Sequence, residues 1–187
     1  PFVGDDGGIS RTVSSGTSMK LKMIQANIFK GKYLDALVEF LRAEKPDVVT
    51  LQEVTGGKAS PVPDTFIHLK KALGMNGVCA PAHCTNRDPL SYFGNAVLVR
   101  GDVLDHRIVW LRPYQEYGTI DYEKEGALLP RNLLDVMVHV DGKEFHAIST
   151  HGAWTKEPID TPEKIRQARI IAEHIRSLRD DVFVLGG

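Results

Sequence analysis

Hydrophobic positions along the chain follow two different periods, which predict strands and helices in a mixed order. The run 132–140 alternates apolar and polar residues, which is the two-residue period of a strand. The run 33–44 places apolar residues at i, i+3, i+4 and i+7, which makes one stripe along a helix. The same criteria predict further strands at 21–27, 48–53, 78–83, 94–100, 103–111, 144–150 and 182–185, and further helices at 64–73 and from 161 onwards.

The first helix lies between two strands, and this order predicts a crossover unit with parallel strands. The strand 48–53 is a buried apolar run that begins after Pro46 and stops at Glu53, while the strand 21–27 stops at Asn27. Parallel strands bring their carboxyl ends to the same edge of a sheet. An amide and a carboxylate are therefore expected together at a rim where α/β proteins form ligand sites.

A tight hairpin and two helix caps complete the predicted architecture. Asp141-Gly142 between two strands is typical of a two-residue type I′ turn. Asp64 is the predicted N-cap of the second helix, and Thr161 or Asp160 that of the third. Crossover and hairpin connections in one chain predict an α/β or α+β fold, in which two sheets pack face to face with helices outside.

Composition makes this a globular chain without an extreme charge. Of its 187 residues, 42% are hydrophobic and 25% charged, which suffices for one domain with a core. The formal net charge of -1 gives no overall electrostatic case for nucleic-acid or membrane binding, although a local basic patch would be compatible with it. The cysteines Cys79 and Cys84 are too few for a disulfide scaffold, so a reducing, cytoplasmic location is expected. No apolar run is long enough to span a membrane.

The two ends of the sequence are unusual. Residues 1–18 are rich in Gly, Ser, Thr and Asp without periodicity, and are predicted to be a disordered leader outside the fold. At the other end, the strand that runs into Gly186 and Gly187 stops where a functional loop would begin. Residues 19–187 are therefore expected to be the larger part of a longer domain.

The polar residues at strand ends are the candidates for chemistry. Asn27, Glu53 and His151 each end a predicted strand. Mg²⁺ prefers oxygen ligands and is usually bound by one or two carboxylates together with substrate phosphate. Glu53 and the amide oxygen of Asn27 suit that chemistry, and His151 is suited to bind or protonate a phosphate oxygen.

Two other groups of residues allow further interpretations. Cys79 and Cys84 with His83 between them would suit zinc, but the sequence offers no second ligand pair. The polar loop 112–129 contains Tyr114, Tyr117 and Tyr122, which would stack on a base or sugar or form ordinary surface. The hairpin histidines His139 and His146 are interpreted as structural.

Five motifs in order make the chain resemble a known superfamily. They are Gln25-Ala26-Asn27-Ile28, Pro46-Asp47-Val48-Val49-Thr50-Leu51-Gln52-Glu53, Gly94-Asn95-Ala96-Val97-Leu98-Val99-Arg100, Ser149-Thr150-His151 and Val182-Phe183-Val184-Leu185-Gly186-Gly187. Over residues 19–187 the chain resembles the endonuclease/exonuclease/phosphatase superfamily, which includes deoxyribonuclease, abasic-site endonucleases, sphingomyelinases and inositol-phosphate phosphatases. The second motif is the most specific of the five.

The resemblance implies a four-layer α/β/β/α sandwich and Mg²⁺- or Mn²⁺-dependent hydrolysis of a phosphate ester. By position, Glu53 resembles the metal-binding glutamate, and Asn27 the asparagine that helps hold metal or phosphate. His151 resembles the histidine that contacts the scissile phosphate. Asn95 and Arg131 lie near positions that often line the cleft and are the expected substrate-binding residues. The expected substrate is a phosphate ester, and nucleic acid is one of the candidates. The identity of the substrate and the oligomeric state of the protein stay open.

One departure from the resemblance limits the expected activity. Family members continue after the Gly-Gly pair with Asp-x-Asn and later an Asp-His pair, and neither is present here. This chain is therefore expected to be incomplete at its C-terminus, to have an exposed sheet edge and to hydrolyse little or nothing by itself. Two alternatives remain at this point: a non-catalytic binding module built on the same sandwich, and an unrelated α/β binding domain.

Overall fold

The computed structural model describes residues 20–85, 88–113, 129–178 and 183–187, and in these residues two four-stranded sheets pack between helices. The strands are β1 (Met23–Asn27), β2 (Val48–Thr55), β3 (Asn76–Thr85), β4 (Asp88–Val99), β5 (Asp102–Arg112), β6 (Arg131–Val140), β7 (Lys143–Thr150) and β8 (Phe183–Gly186). The helices are α1 (Leu34–Glu44), α2 (Thr65–Leu73) and α3 (Pro162–Ser177). Sheet 1 has the order β1-β2-β4-β3 and sheet 2 the order β5-β6-β7-β8.

Three hydrophobic clusters lie between the layers and pack them together. Helices α1 and α2 pack on the outer face of sheet 1 through residues such as Leu41 and Leu69. The facing sides of the two sheets meet through Val97 and Val136, among others. Helix α3 covers the outer face of sheet 2 near Leu133. The predicted α/β class and the α/β/β/α layering are therefore confirmed.

The strand pairing confirms the crossover and the hairpin. Strands β1 and β2 are parallel, with Asn27 opposite Gln52, so both strands end at one edge. Strands β6 and β7 are antiparallel around Asp141 and Gly142. Their φ angles of 49° and 77° are the left-handed pair that a type I′ turn requires.

Both predicted helix starts are capped by side chains. The carboxylate of Asp64 accepts the N–H of Ile67 at 2.8 Å, and the hydroxyl of Thr161 accepts the N–H of Lys164 at 3.2 Å. Thr161, not Asp160, is therefore the cap of α3. Each cap stabilises its helix by about 1 kcal/mol because it satisfies an N–H that has no partner within the helix.

Strands β3 and β4 differ most from the predicted elements, since β4 begins at Asp88 and not at 94. The sequence predicts a weak strand over 78–83, whereas Asn76–Thr85 is extended and pairs with β4. Pro81 breaks the apparent pattern because it cannot donate a ladder hydrogen bond, and the register between the strands shifts between Pro81 and His83. This irregularity matters because it sets the position of His83.

A buried carboxylate fixes helix α3 to sheet 2. Asp135 on β6 is 4% exposed, and its two oxygens lie 2.7 Å from Nδ1 of His146 and 2.8 Å from Nε2 of His174. His146 thus has a structural contact in the hairpin, as interpreted. The described helices include none long and apolar enough to cross a membrane.

Buried side-chain amides join the two sheets near the carboxyl ends of strands β1 and β2. Gln52, 1% exposed, accepts a hydrogen bond from Gln25 at 2.5 Å and donates to Ser149 at 3.1 Å. Asn95 donates to the side-chain and main-chain oxygens of Asn132, both at 2.9 Å. Polar groups between sheets are stable only when they are paired in this way, so these contacts fix how the sheets face each other.

Candidate active site

The predicted pair of strand-end residues forms one hydrogen-bonded unit. Nδ2 of Asn27 donates to Oε1 of Glu53 at 3.2 Å. The orientation of the amide is fixed from its other side, since Oδ1 of Asn27 accepts the N–H of Phe29 at 2.9 Å. Asn27 therefore orients the carboxylate of Glu53 at the rim of sheet 1.

Glu53 is placed by a break in strand β2. Its φ of 59° is left-handed, and the register of β2 against β4 shifts between Gln52 and Val54. Both neighbours are buried, whereas Glu53 is only partly so. A bulge of this kind re-aims one side chain and is common beside active sites.

Two further residues at this rim have left-handed backbones. Phe29 and Lys30 have φ angles of 47° and 57°, in a short 3₁₀ turn after β1. Outside glycine, the other left-handed residues that the structure describes are Lys45, which ends α1, and Asp141 in the hairpin turn. A left-handed non-glycine residue costs about 1 kcal/mol or more, and such strain gathers at functional sites.

A cavity of about 250 Å³ connects these residues with others that the sequence predicts. Its described lining consists of Phe29, Lys30, Glu53, His83, Phe93, Leu129, Arg131, His151 and Trp154. Three predicted site residues, Glu53, Arg131 and His151, thus share one cavity. Asn27 reaches it through its hydrogen bond to Glu53.

Asn95 is the predicted site residue whose side chain neither lines this cavity nor hydrogen-bonds to a described residue that does. It is 2% exposed and lies between the sheets, where its amide nitrogen is bonded to Asn132. It belongs to strand β4, two residues after Phe93, which does line the cavity. Its position gives it a role in joining the sheets.

The ring of Phe93 is the centre of a cluster of cationic and imidazole groups. It stacks on His83 with ring centroids 5.0 Å apart, and the ring of His151 lies at 5.9 Å. Cζ of Arg131 is 5.9 Å from the same ring. Because Arg131 is only 3% exposed, it brings a nearly desolvated positive charge to the cavity.

Both imidazoles are held neutral at pH 7. Burial, followed by the charge of Arg131, lowers the pKa of His151 to about 4, with His83 as a further contributor. Burial and then Arg131 and Lys30 lower the pKa of His83 to about 4 as well. Nδ1 of His151 is buried without a hydrogen-bond partner among the described residues. A neutral ring with an unused nitrogen can donate to, or accept from, a group that enters the cavity.

These pKa values predict that acid destabilises the fold. The unfolded chain binds protons at these histidines near pH 6.5 and the folded chain only near pH 4, so their contribution to stability is complete above pH 6.5 and is lost as the pH falls towards 4. His83→Phe, which retains a ring against Phe93, is expected to reduce the loss of unfolding free energy between pH 7 and pH 4.5 by about 2 kcal/mol. Urea unfolding at the two pH values measures this.

The matched control for that measurement is His139→Phe. His139 lies on β6 with 40% of its side chain exposed, beside Asp102 and away from the cavity. The pH dependence of this variant gives the reference for removing a partly exposed imidazole outside the cavity. Equal pH slopes for His83→Phe and the wild type would show that His83 is already free to ionise in the folded chain.

The sequence did not identify most of the cavity wall. His83 entered the prediction only as part of a zinc alternative, and in the described residues no three His, Cys, Asp or Glu side chains converge as metal ligands. Phe29, Lys30 and Phe93 carry no functional signal in the sequence. The adjacency of Phe29 and Lys30 to Asn27 could have indicated them. Tyr114, Tyr117 and Tyr122 lie outside the described residues, as does the leader 1–18.

Comparison with known proteins assigns nearly all of the described fold to one family. The model of the Endonuclease/Exonuclease/phosphatase family matches residues 24–187. A search of curated proteins gives no match.

Solved structures share the fold at low sequence identity. An endonuclease/exonuclease/phosphatase family protein from Leptotrichia buccalis is 14% identical with a TM-score of 0.63, covering 89% of this chain and 66% of its own. TDP2 from D. rerio, complexed with single-strand DNA product, is 19% identical with a TM-score of 0.59, covering 88% and 58%. A mannosyl-6-phosphatase from Bacteroides thetaiotaomicron is 15% identical with a TM-score of 0.58, covering 88% and 62%. The chain therefore spans about three fifths to two thirds of the length of these structures.

Proposed function

Because this chain belongs to the endonuclease/exonuclease/phosphatase family, a family of nucleases and phosphatases, we propose that the whole protein hydrolyses a phosphate ester with Mg²⁺ or Mn²⁺. The observation that carries the proposal is the shared cavity of Glu53, Arg131 and His151, with Asn27 orienting the carboxylate. Family membership also shows that the alternative of an unrelated α/β domain is wrong.

The residues present fit a divalent metal, and Glu53 is its proposed ligand. One oxygen of Glu53 accepts from Asn27, and the carboxylate is partly exposed at the cavity. A single carboxylate with waters and substrate phosphate is a usual donor set for Mg²⁺. When bound, the ion supplies Lewis acidity at a phosphoryl oxygen. Because the amide oxygen of Asn27 already accepts the N–H of Phe29, the role proposed for Asn27 is to orient the carboxylate of Glu53.

The other side chains act on the phosphate. The buried guanidinium of Arg131 and the ammonium of Lys30 attract the anion, and the N–H of neutral His151 donates to an oxygen whose charge grows in the transition state. Desolvation strengthens the contact of Arg131 most, because its guanidinium is nearly buried. Among the described residues Glu53 is the only carboxylate in the cavity wall, so metal binding by this chain alone is proposed to be weak and its hydrolysis slow.

Removal of divalent metal tests the proposal. With p-nitrophenyl phosphate and bis(p-nitrophenyl) phosphate as the monoester and the diester, the whole protein is expected to hydrolyse at least one about 10³-fold or more faster in Mg²⁺ or Mn²⁺ than in EDTA. The result with the two substrates distinguishes a monoesterase from a diesterase. Equal rates in metal and EDTA would contradict the metal requirement. Binding of an anion without any hydrolysis would favour the non-catalytic binding module.

A further inference from the structure

His83 is the cavity residue for which neither the motifs nor the proposed chemistry accounts. It lies on β3 just after the register shift at Pro81, is 1% exposed, and yet borders the cavity. Its ring stacks on that of Phe93, which holds the imidazole in place at the cavity wall. The imidazole therefore brings polar nitrogens to the border of the cavity.

The surroundings of His83 are positive and favour an anion. Arg131 and Lys30 are the charged groups that depress its pKa, and His151 is a further imidazole at the cavity wall. Glu53 is the one described carboxylate of that wall. An anion placed among these groups is attracted by both cations and can accept a hydrogen bond from each imidazole.

Phe93 is the ring that these donor groups share. Its centroid is 5.0 Å from that of His83, 5.9 Å from that of His151 and 5.9 Å from Cζ of Arg131. The two imidazoles and the guanidinium therefore lie around one aromatic ring, and all of them line the same cavity. Several donors grouped at one cavity suit the several oxygens of a tetrahedral oxyanion.

We propose that His83 is a further anion-binding residue of this cavity, which donates a hydrogen bond to an oxygen of the phosphate that Arg131 and His151 also contact. This inference rests on the proposed function for the identity of the ligand as a phosphate group. It concerns binding, so a whole protein without hydrolytic activity would remove the proposed function and leave the anion site standing.

Sulfate is the probe of choice because its charge stays constant between pH 4 and pH 8. Binding to this chain is measured by calorimetry at constant ionic strength, with chloride as the balancing anion. His83→Phe, which retains the ring against Phe93, is expected to raise the Kd for sulfate about tenfold. His139→Phe removes an exposed imidazole outside the cavity and should leave the Kd unchanged.

A measurement on the wild type avoids dependence on the variant's folding. The imidazole ¹⁵N resonances of His83 and His151 should both shift as sulfate is added, with the same apparent Kd as calorimetry gives. A Kd for His83→Phe within twofold of the wild type, or sulfate shifts at His151 without any at His83, would overturn the inference. Failure of sulfate to bind the wild type at all would overturn it equally.

Discussion

Replacing Glu53 with Gln is expected to lower metal-dependent hydrolysis by the whole protein about 10³-fold. The amide retains the size of the side chain and an oxygen that can accept from Nδ2 of Asn27. It loses the negative charge that holds the metal, and the Lewis acidity lost is worth several kcal/mol of transition-state stabilisation. The value of kcat/KM for p-nitrophenyl phosphate or its diester, measured at the Mg²⁺ concentration that just saturates the wild type, gives the result.

Two variants make that measurement interpretable. Glu44→Gln removes a carboxylate of the same kind at an exposed ion pair with Lys22, and should leave kcat/KM within twofold of the wild type. Asn27→Ala should produce a smaller loss than Glu53→Gln, since it removes the partner that orients the carboxylate and leaves the charge in place. A Glu53→Gln enzyme that retains a third or more of wild-type activity would exclude Glu53 as the metal ligand.

The strand-end logic predicted the Asn27–Glu53 pair because it depends on topology alone. An apolar stripe identified α1, a buried run identified β2, and a helix between two strands made them parallel. Once the strands are parallel, residues near their carboxyl ends lie at one edge of the sheet, although β2 continues two residues past Glu53, to Thr55. The geometry that the sequence did not predict is the left-handed φ of Glu53, because a bulge depends on how β2 pairs with β4 and leaves no local pattern in a non-glycine residue.

The cavity wall was harder to predict for a different reason. His83, Phe93 and Arg131 come from strands β3, β4 and β6 of both sheets, and no local period reports which side chains face each other across a sandwich. Asn95 illustrates the same limit. Its motif placed it near the cleft, and the pairing of the sheets directs its amide to Asn132. Which side chains of the two sheets face each other depends on long-range contacts, and a local pattern in one sequence does not reveal these contacts.

Asn132→Ala is expected to lower the free energy of unfolding by about 3 kcal/mol. Asn132 is fully buried, and its Nδ2 donates to the main-chain oxygens of Ala80 at 3.3 Å and Pro81 at 3.2 Å. Its Oδ1 accepts from Asn95 at 2.9 Å. Alanine removes three hydrogen bonds at once, and each such loss costs about 1 kcal/mol. Urea unfolding at pH 7 measures the change.

A surface amide and a double-mutant cycle show whether burial causes this effect. Asn76→Ala removes an exposed amide that donates to the oxygen of Gly101 at 2.7 Å, and should cost less than about 1 kcal/mol. If Asn95 and Asn132 act as one unit, the double variant with Asn95→Ala should lose at least about 1 kcal/mol less than the two single losses combined. Strict additivity would mean that the two amides contribute independently. Since Arg131 directly precedes Asn132 and Phe93 lies two residues before Asn95, a coupled pair also fixes the cation and the ring that the anion site requires.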